Sequence, residues 1–124
     1  MVIKDSKIEK FIRRYINVYS SVALDEDKWL TKREKDFIVE CVILQSQNVD
    51  LGSAEAVEYI TNKLGLNERN VYLYRTTLKK KEWILPTQEG LTLPPAFDFS
   101  KSPIPKKFNF NFALEYEKEM EGGY

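Results

Sequence analysis

The chain has 124 residues with 19 basic and 19 acidic side chains, so its formal net charge is zero, and 43% of its residues are hydrophobic. This composition is that of one ordinary globular domain and excludes disorder as the default. The zero net charge argues against binding to nucleic acid through bulk charge alone, so any such binding must come from local patches. The sequence has no run of eighteen apolar residues and no leader-like segment. This predicts a cytoplasmic protein, or one assembled into a complex from a cytoplasmic pool, without a membrane partner.

The sequence contains few of the residue types and motifs that catalysis, metal binding or nucleotide binding requires. Histidine is absent, and the single cysteine, Cys41, lies in the apolar run FIVECVIL, which favours a buried thiol over a reactive one. One cysteine without histidine cannot form a closed zinc site, although a carboxylate-only metal site remains open. The acidic cluster Asp25, Glu26 and Asp27 is typical of a solvated loop, and no glycine-rich nucleotide-binding motif occurs. We therefore expect no catalytic residue, no metal and no cofactor, and a protein that is not an enzyme.

The first predicted helix runs from about Ser6 to Val22. Six apolar residues follow the helical spacing i, i+3, i+4, i+7, i+8 and i+11, namely Ile8, Phe11, Ile12, Tyr15, Ile16 and Tyr19. Four polar residues are expected to face water: Lys10, Arg13, Arg14 and Asn17. The β-branched and aromatic content leaves a strand from Arg14 to Val22 as the alternative.

A second predicted helix opens at Thr31. Thr31 and Glu34 have the spacing of a capping box, in which each side chain accepts a hydrogen bond from the other residue's backbone. The helix that follows is apolar nearly all round, which predicts the central buried helix of the domain. The segment Asn48 to Gly52 is expected to end it.

A helix, a tight turn, a longer helix and a short hairpin are predicted from Ser53 to Leu93. Gly65 ends the first of these helices, and Asn67 caps the next one. At 100° per residue, Val71, Tyr74 and Leu78 share the core side of the longer helix. The opposite side carries five residues: Arg69, Tyr72, Leu73, Thr76 and Lys80.

The helix beginning SAEAV, the Gly-Leu-Asn turn and the helix NERNVYLYRTTLKKKEW resemble the helix-turn-helix of a winged-helix domain. The wing would consist of strand Trp83 to Leu85, loop Pro86 to Gly90 and strand Leu91 to Leu93, which gives a mainly α fold with a small β-wing. The chain departs from the pattern in one place, because Arg75 stands where an aliphatic residue is usual, and Tyr74 is expected to take that packing role.

The resemblance implies binding to double-stranded DNA, with the longer helix in the major groove. Arg69 would contact a base edge or a phosphate, and Tyr72, Leu73 and Thr76 would lie beside it on the reading face. The DNA backbone would be held by four residues: Lys79, Lys80, Lys81 and Gln88.

The range Asn67 to Glu82 has five basic and two acidic residues, a local charge of +3. Its basic residues are Arg69, Arg75, Lys79, Lys80 and Lys81. Such a patch could neutralise phosphates, but lysines in the last turn of a helix also stabilise the helix dipole without any ligand. Both interpretations remain open from the sequence.

The composition changes at Pro94, so that we divide the chain into a domain, 1–93, and a proline-rich arm, 94–124, which lies on or leaves the domain. Within the arm, Phe108, Phe110 and Phe112 alternate with asparagine, which predicts a strand over 108–112 with one aromatic face. This face would fold back on the domain or pair with the sheet edge of a protein partner. The segment ALEYEKEMEGGY then forms an acidic tail of net charge −3.

Two functions follow from these predictions. The first is a DNA-binding regulator or accessory factor that acts without chemistry. The alternative is a structural or assembly subunit of a larger complex, for example a viral particle, that uses the scaffold and the arm for protein contacts. Zero net charge, the outward Tyr72 and Leu73, and the arm favour this alternative.

Overall fold

The computed structural model describes residues 6–88 and 90–100, which form a mainly helical domain with a small antiparallel sheet. The predicted fold class is confirmed at this level. The helices and strands, in chain order, are α1 (Ser6–Ala23), α2 (Lys32–Ser46), α3 (Ala54–Leu64), α4 (Glu68–Lys80), β1 (Leu85–Thr87) and β2 (Gly90–Thr92), with short 3-10 turns at Glu26–Lys28 and Pro95–Phe97. None of the helices in this part of the chain is long and apolar enough to span a membrane.

Helix α1 packs against α2 through the predicted apolar face. Ile12 and Ile16 are fully buried, and the bounds of α1 confirm the helix over the alternative strand. Lys10, Arg14 and Asn17 are exposed as predicted. Arg13 is instead partly buried, because its Nη2 donates to Asp36 Oδ1 of α2 at 2.5 Å and joins the two helices.

Helix α2 is the centre of the core. Both hydrogen bonds of the predicted capping box are present, with Thr31 Oγ1 accepting from the Glu34 amide at 3.2 Å and Glu34 Oε1 accepting from the Thr31 amide at 2.8 Å. Ten of its fifteen residues are buried, which confirms the predicted central helix. Cys41 is among them, and burial raises the pKa of its thiol to about 12, so the thiol is unreactive.

Glu34 also joins α2 to the end of α4. Its Oε1 accepts from Lys81 Nζ at 2.7 Å. Burial alone would raise the pKa of this carboxyl, but the bonds from Lys81 and Thr31 hold it below its ordinary value of 4.5. A carboxyl with a lowered folded-state pKa stabilises the fold above pH 4.5 and loses that contribution as the pH falls through the folded-state value.

We expect Lys81→Met to lower the free energy of unfolding by about 1–3 kcal/mol at neutral pH, because it leaves a buried carboxylate without its cation. The deficit should shrink as the pH falls below 4.5 and Glu34 takes up a proton. Urea unfolding of the unmodified chain and of Lys81→Met, at pH values from neutral to below 4.5, measures this difference in the free energy of unfolding. The neighbouring exposed Lys80→Met is the matched control and should cost less than about 0.5 kcal/mol. A deficit that does not change with pH would contradict this role of Glu34.

The turn between α3 and α4 forms as its sequence predicts. Ser53 Oγ accepts from the Ala56 amide at 3.1 Å, and Asn67 Oδ1 accepts from the Asn70 amide at 2.8 Å, so both helices are capped. Gly65 has φ 65°, the left-handed conformation that ends α3 without the penalty of a side chain. Together these residues fix where α4 begins and which of its sides faces the core.

The hairpin is shifted from its predicted strands. The strand predicted over Trp83 to Leu85 is wrong, because β1 begins at Leu85, and β2 begins at Gly90 and pairs Leu85 with Thr92. Trp83 and Ile84 are buried instead. The reason is the way α4 ends: Glu82 is left-handed with φ 65°, and the Trp83 amide donates to the Leu78 carbonyl at 2.9 Å, so the chain turns back into the core.

Two side chains attach the hairpin to the helices. Gln45 Oε1 of α2 accepts from the Leu93 amide at 3.0 Å. Asp50 Oδ1, between α2 and α3, accepts from the Gly52 amide at 3.1 Å and from the Leu91 amide at 3.4 Å. The carboxylate of Asp50 therefore lies directly against the start of β2.

A side chain at position 90 would collide with Asp50, which explains the glycine at the start of β2. Its φ is 149°, and a Cβ there would lie 2.5 Å from Asp50 Oδ1. We expect Gly90→Ala to lower the free energy of unfolding by about 1–3 kcal/mol, since it strains the backbone and displaces the carboxylate. Thermal unfolding measures this. Gly52→Ala is the matched control, because its nearest atom would be 3.6 Å away, and equal melting temperatures for the two variants would contradict the contact.

Residues 94–100 lie on the domain, which is one of the two arrangements predicted for the start of the arm. Phe97 is fully buried, and its ring centroid is 4.8 Å from that of Tyr15, 5.0 Å from that of Tyr19 and 5.2 Å from that of Trp83. This aromatic cluster joins the end of the described chain to α1. The predicted strand with Phe108, Phe110 and Phe112, and the acidic tail, lie outside the described residues.

Candidate functional site

The outward side of α4 is the surface predicted from the sequence to bind DNA. All five residues predicted there are exposed: Arg69, Tyr72, Leu73, Thr76 and Lys80. Tyr72 and Leu73 retain 49% and 54% of their accessible surface. On the opposite side Val71 and Leu78 are buried, and Tyr74 stacks on Phe37 with the ring centroids 5.4 Å apart. The phase of the helix is therefore as the periodicity predicts.

Arg75 lies on the core side of α4, at the position where the sequence pattern usually has an aliphatic residue. Its guanidinium donates to the Leu51 carbonyl and lies 5.4 Å from the centre of the Tyr72 ring. Tyr74 packs against the core as expected, but Arg75 is buried as well. Its charge therefore satisfies a backbone carbonyl before α3, and the inclusion of Arg75 in the basic surface patch was wrong.

The three lysines at the end of α4 do not form one surface. Lys79 and Lys80 are exposed, but Lys81 Nζ bonds to Glu34 Oε1 at 2.7 Å and to the Trp29 carbonyl at 3.0 Å. Among the described residues, the side chains of Arg69, Lys79 and Lys80 have no hydrogen bond or ion pair. These three are therefore the free cations of α4.

Two further cations face α4 from the start of α2. Lys32 and Arg33 are exposed, and neither side chain has an ion pair within the part of the chain that the structure describes. Arg33 lines two adjoining depressions of about 260 and 300 Å³ against α4 and the α3–α4 turn, and Lys32 lines the first of them. We call this surface the α2–α4 groove. Its lining includes Lys32, Arg33, Glu34, Asp36, Leu66, Leu73, Tyr74 and Thr77.

Lys32 and Arg33 are candidate binding residues that the sequence did not predict. The signal available was a pair of basic residues in the first turn of a predicted helix, which is usually a solvated position. Their position opposite α4 depends on how α2 packs against the helix-turn-helix. Spacing along the chain does not reveal that packing.

Gln88 lies at the exposed tip of the hairpin and faces a different cleft. This cleft has a volume of about 560 Å³ and is also lined by Asn48, Asp50 and Asp98. Gln88 is not among the residues that line the α2–α4 groove. The hairpin tip thus lines a cleft different from the α2–α4 groove.

The acidic loop adjoins the last turn of α4. Lys28 Nζ pairs with Glu82 Oε1 at 2.6 Å, and the Trp83 indole donates to the Lys28 carbonyl at 2.8 Å. Asp25, Glu26 and Asp27, exposed as predicted, are therefore held near the carboxyl end of α4. Their negative charge partly offsets the positive charge of Lys79 and Lys80 in the last turn of the helix.

Comparisons of the chain with protein-family models, with curated proteins and with solved structures return no match. Within the described residues, no cluster of histidine, cysteine or carboxylate side chains could hold a metal ion. The candidate site is thus described by its exposed side chains and their charge.

Proposed function

We propose that this chain is a winged helix-turn-helix protein that binds double-stranded DNA through the outer side of α4, as a regulator or accessory factor. The observation that supports this most directly is the exposed line of Arg69, Thr76 and Lys80, whose two cations have no partner in the described residues. Lys32 and Arg33 add positive charge across the α2–α4 groove. Free cations on the exposed side of a helix are what the phosphates of a duplex would pair with.

The dimensions of α4 suit the major groove. Thirteen residues make a helix about 20 Å long. A major groove about 12 Å wide admits an α-helix. Arg69 in the first turn would contact guanine or a phosphate. The Thr76 hydroxyl is bonded to the Tyr72 carbonyl at 3.1 Å, so Thr76 would offer its methyl group to thymine. Lys79 and Lys80 would hold phosphates, and the hairpin with Gln88 would be the wing.

Charge removal on α4 tests this proposal. We expect Arg69→Ala to weaken duplex binding by about 5- to 150-fold if the side chain contacts a base. Lys80→Ala should weaken it several-fold and reduce the dependence of the affinity on salt by about one phosphate. Fluorescence anisotropy of a labelled duplex pool measures both.

Exposed cations of α1 provide the matched controls. Arg14→Ala and Lys10→Ala remove the same charges from a helix that packs against α2, and neither should change binding by more than about twofold. Equal losses from α1 and α4 variants would mean that binding depends on charge alone and would contradict a reading helix. Absence of duplex binding at low salt, both by the full chain and by a variant with Glu115, Glu117, Glu119 and Glu121 replaced by glutamine, would refute the function itself.

A second function is favoured by Tyr72 and Leu73, two adjacent large side chains that are about half exposed on the same helix. Surfaces of this kind are typical of protein interfaces, where tyrosine is a frequent anchor. In this alternative the chain is an assembly subunit that contacts a protein partner through α4 and through the segment with Phe108, Phe110 and Phe112. Association through apolar contacts would persist between about 50 and 200 mM salt, whereas binding to phosphates would weaken steeply.

A further inference from the structure

The α2–α4 groove combines exposed apolar side chains with two cations that have no ion pair among the described residues. The two carboxylates that also line it, Glu34 and Asp36, are each paired, with Lys81 and with Arg13. Leu66, Leu73 and Tyr74 are each partly or largely exposed in it. Lys32 and Arg33 lie on the α2 side. On the exposed side of α4, helical geometry places Arg69 one turn before Leu73 and Lys80 two turns after it. An occupant that matched this surface would carry apolar side chains and several carboxylates.

One segment of the same chain has this chemistry. The sequence ALEYEKEME, residues 113–121, contains four glutamates, Glu115, Glu117, Glu119 and Glu121, with Lys118 as its one cation. Leu114, Tyr116 and Met120 alternate with them. We infer that residues 113–121, which lie outside the described residues, bind in the α2–α4 groove of their own chain.

The connection is long enough. Thirteen residues separate Ser100, the last described residue, from Leu114, and at about 3.4 Å per residue they span up to about 45 Å. A domain of roughly a hundred residues has a radius of gyration near 13 Å, so the segment can reach most of its surface. Covalent attachment also gives the segment an effective concentration in the millimolar range, so that even a weak contact is populated.

The segment would compete with duplex DNA, since it would pair with Arg33, Arg69 and Lys80. This consequence rests on the proposed function, whereas the docking itself does not. Occupation of the groove by the segment would also cover Leu73, one of the most exposed large hydrophobic residues described. Binding of the segment would thus account for both the free cations and the apolar surface of one groove.

Docking can be measured directly in the full chain. Tyr124→Cys provides one reactive thiol for a nitroxide label, because Cys41 is buried and its pKa is about 12. We expect the label to broaden the amide NMR signals of Arg33, Leu73 and Thr77 at about 50 mM salt, and much less at about 500 mM, where charge pairs are screened. The signals of α1 should stay sharp. Uniform or absent broadening would overturn the inference.

Charge variants provide the matched comparison. Replacing the four glutamates with glutamine should abolish the broadening, whereas Lys118→Gln, which leaves them in place, should preserve it. Lys32→Gln with Arg33→Gln should weaken it, and Lys10→Gln with Arg14→Gln should not. If the broadening appears only between chains, in a mixture of isotope-labelled and spin-labelled protein, the occupant is a second copy and the intramolecular inference is wrong.

A duplex titration separates this inference from the proposed function. The four-glutamine variant should bind duplex DNA about three- to tenfold more tightly than the unmodified chain at low salt, because its groove is free. Broadening without DNA binding by either protein would support the docking and refute the function. DNA binding of equal strength by both proteins, without broadening, would support the function and refute the docking.

Discussion

Replacement of Phe97 by alanine is expected to lower the free energy of unfolding by about 3–5 kcal/mol. The side chain is fully buried, and its ring lies within 5.2 Å of the ring centroids of Tyr15, Tyr19 and Trp83. The cavity left by the ring would be bounded by large aromatic side chains that cannot collapse into it easily. Urea unfolding followed by circular dichroism measures the loss.

Phe99 is the matched control for Phe97. It is only partly buried and meets Tyr15 edge-on at 6.3 Å, so Phe99→Ala should cost less than about 1.5 kcal/mol. A small and equal effect of the two substitutions would contradict the packing of residues 94–100 on α1. The comparison thus tests whether the domain extends beyond Leu93.

Trp83→Ala is the second substitution with a large expected effect, again about 3–5 kcal/mol. The indole is buried between Tyr19 and Phe97, with centroid distances of 5.6 and 5.2 Å, and its Nε1 donates to the Lys28 carbonyl at 2.8 Å. Trp83→Phe keeps most of the packing but loses this hydrogen bond, so its cost should be closer to about 1–2 kcal/mol. Urea unfolding of the two variants, followed by circular dichroism, gives both values.

The effects at Trp83 and Phe97 should not add. The two rings are in contact, so the double alanine variant should be more stable than the sum of the single losses implies, by about 0.5–3 kcal/mol. Strict additivity would mean that the rings do not share one cluster. If Trp83→Ala lowered the free energy of unfolding only as little as expected for an exposed strand residue, the result would contradict the burial of Trp83. It would favour the hairpin predicted from the sequence, with a strand over Trp83 to Leu85.

Local signals predicted most of the secondary structure correctly. The capping box at Thr31 and Glu34, the left-handed Gly65 and the cap at Asn67 each depend on residues within a few positions of one another. Such interactions are visible in a sequence because the chain itself keeps the partners close. The same holds for the exposed side of α4, which follows from helical periodicity.

The sequence-based predictions fail where the position of a side chain depends on a partner that is distant in the sequence. Arg75 counts toward the basic patch in the sequence because its acceptor, the Leu51 carbonyl, is 24 residues away. The ion pair of Lys81 with Glu34, 47 residues away, is likewise not visible in the sequence. Trp83 and Ile84 have high β-propensity, but burial in the core overrides it. The position of Arg33 opposite Leu73 likewise depends on tertiary packing.

The most direct test of the proposed function is an amide NMR titration of the full chain with a duplex DNA pool at low salt. The proposal predicts shift changes concentrated at Arg69, Tyr72, Thr76 and Lys80, with smaller ones at Arg33, that are reversed near 200 mM salt. Shift changes spread over α1, or none outside the hairpin, would contradict DNA binding through α4.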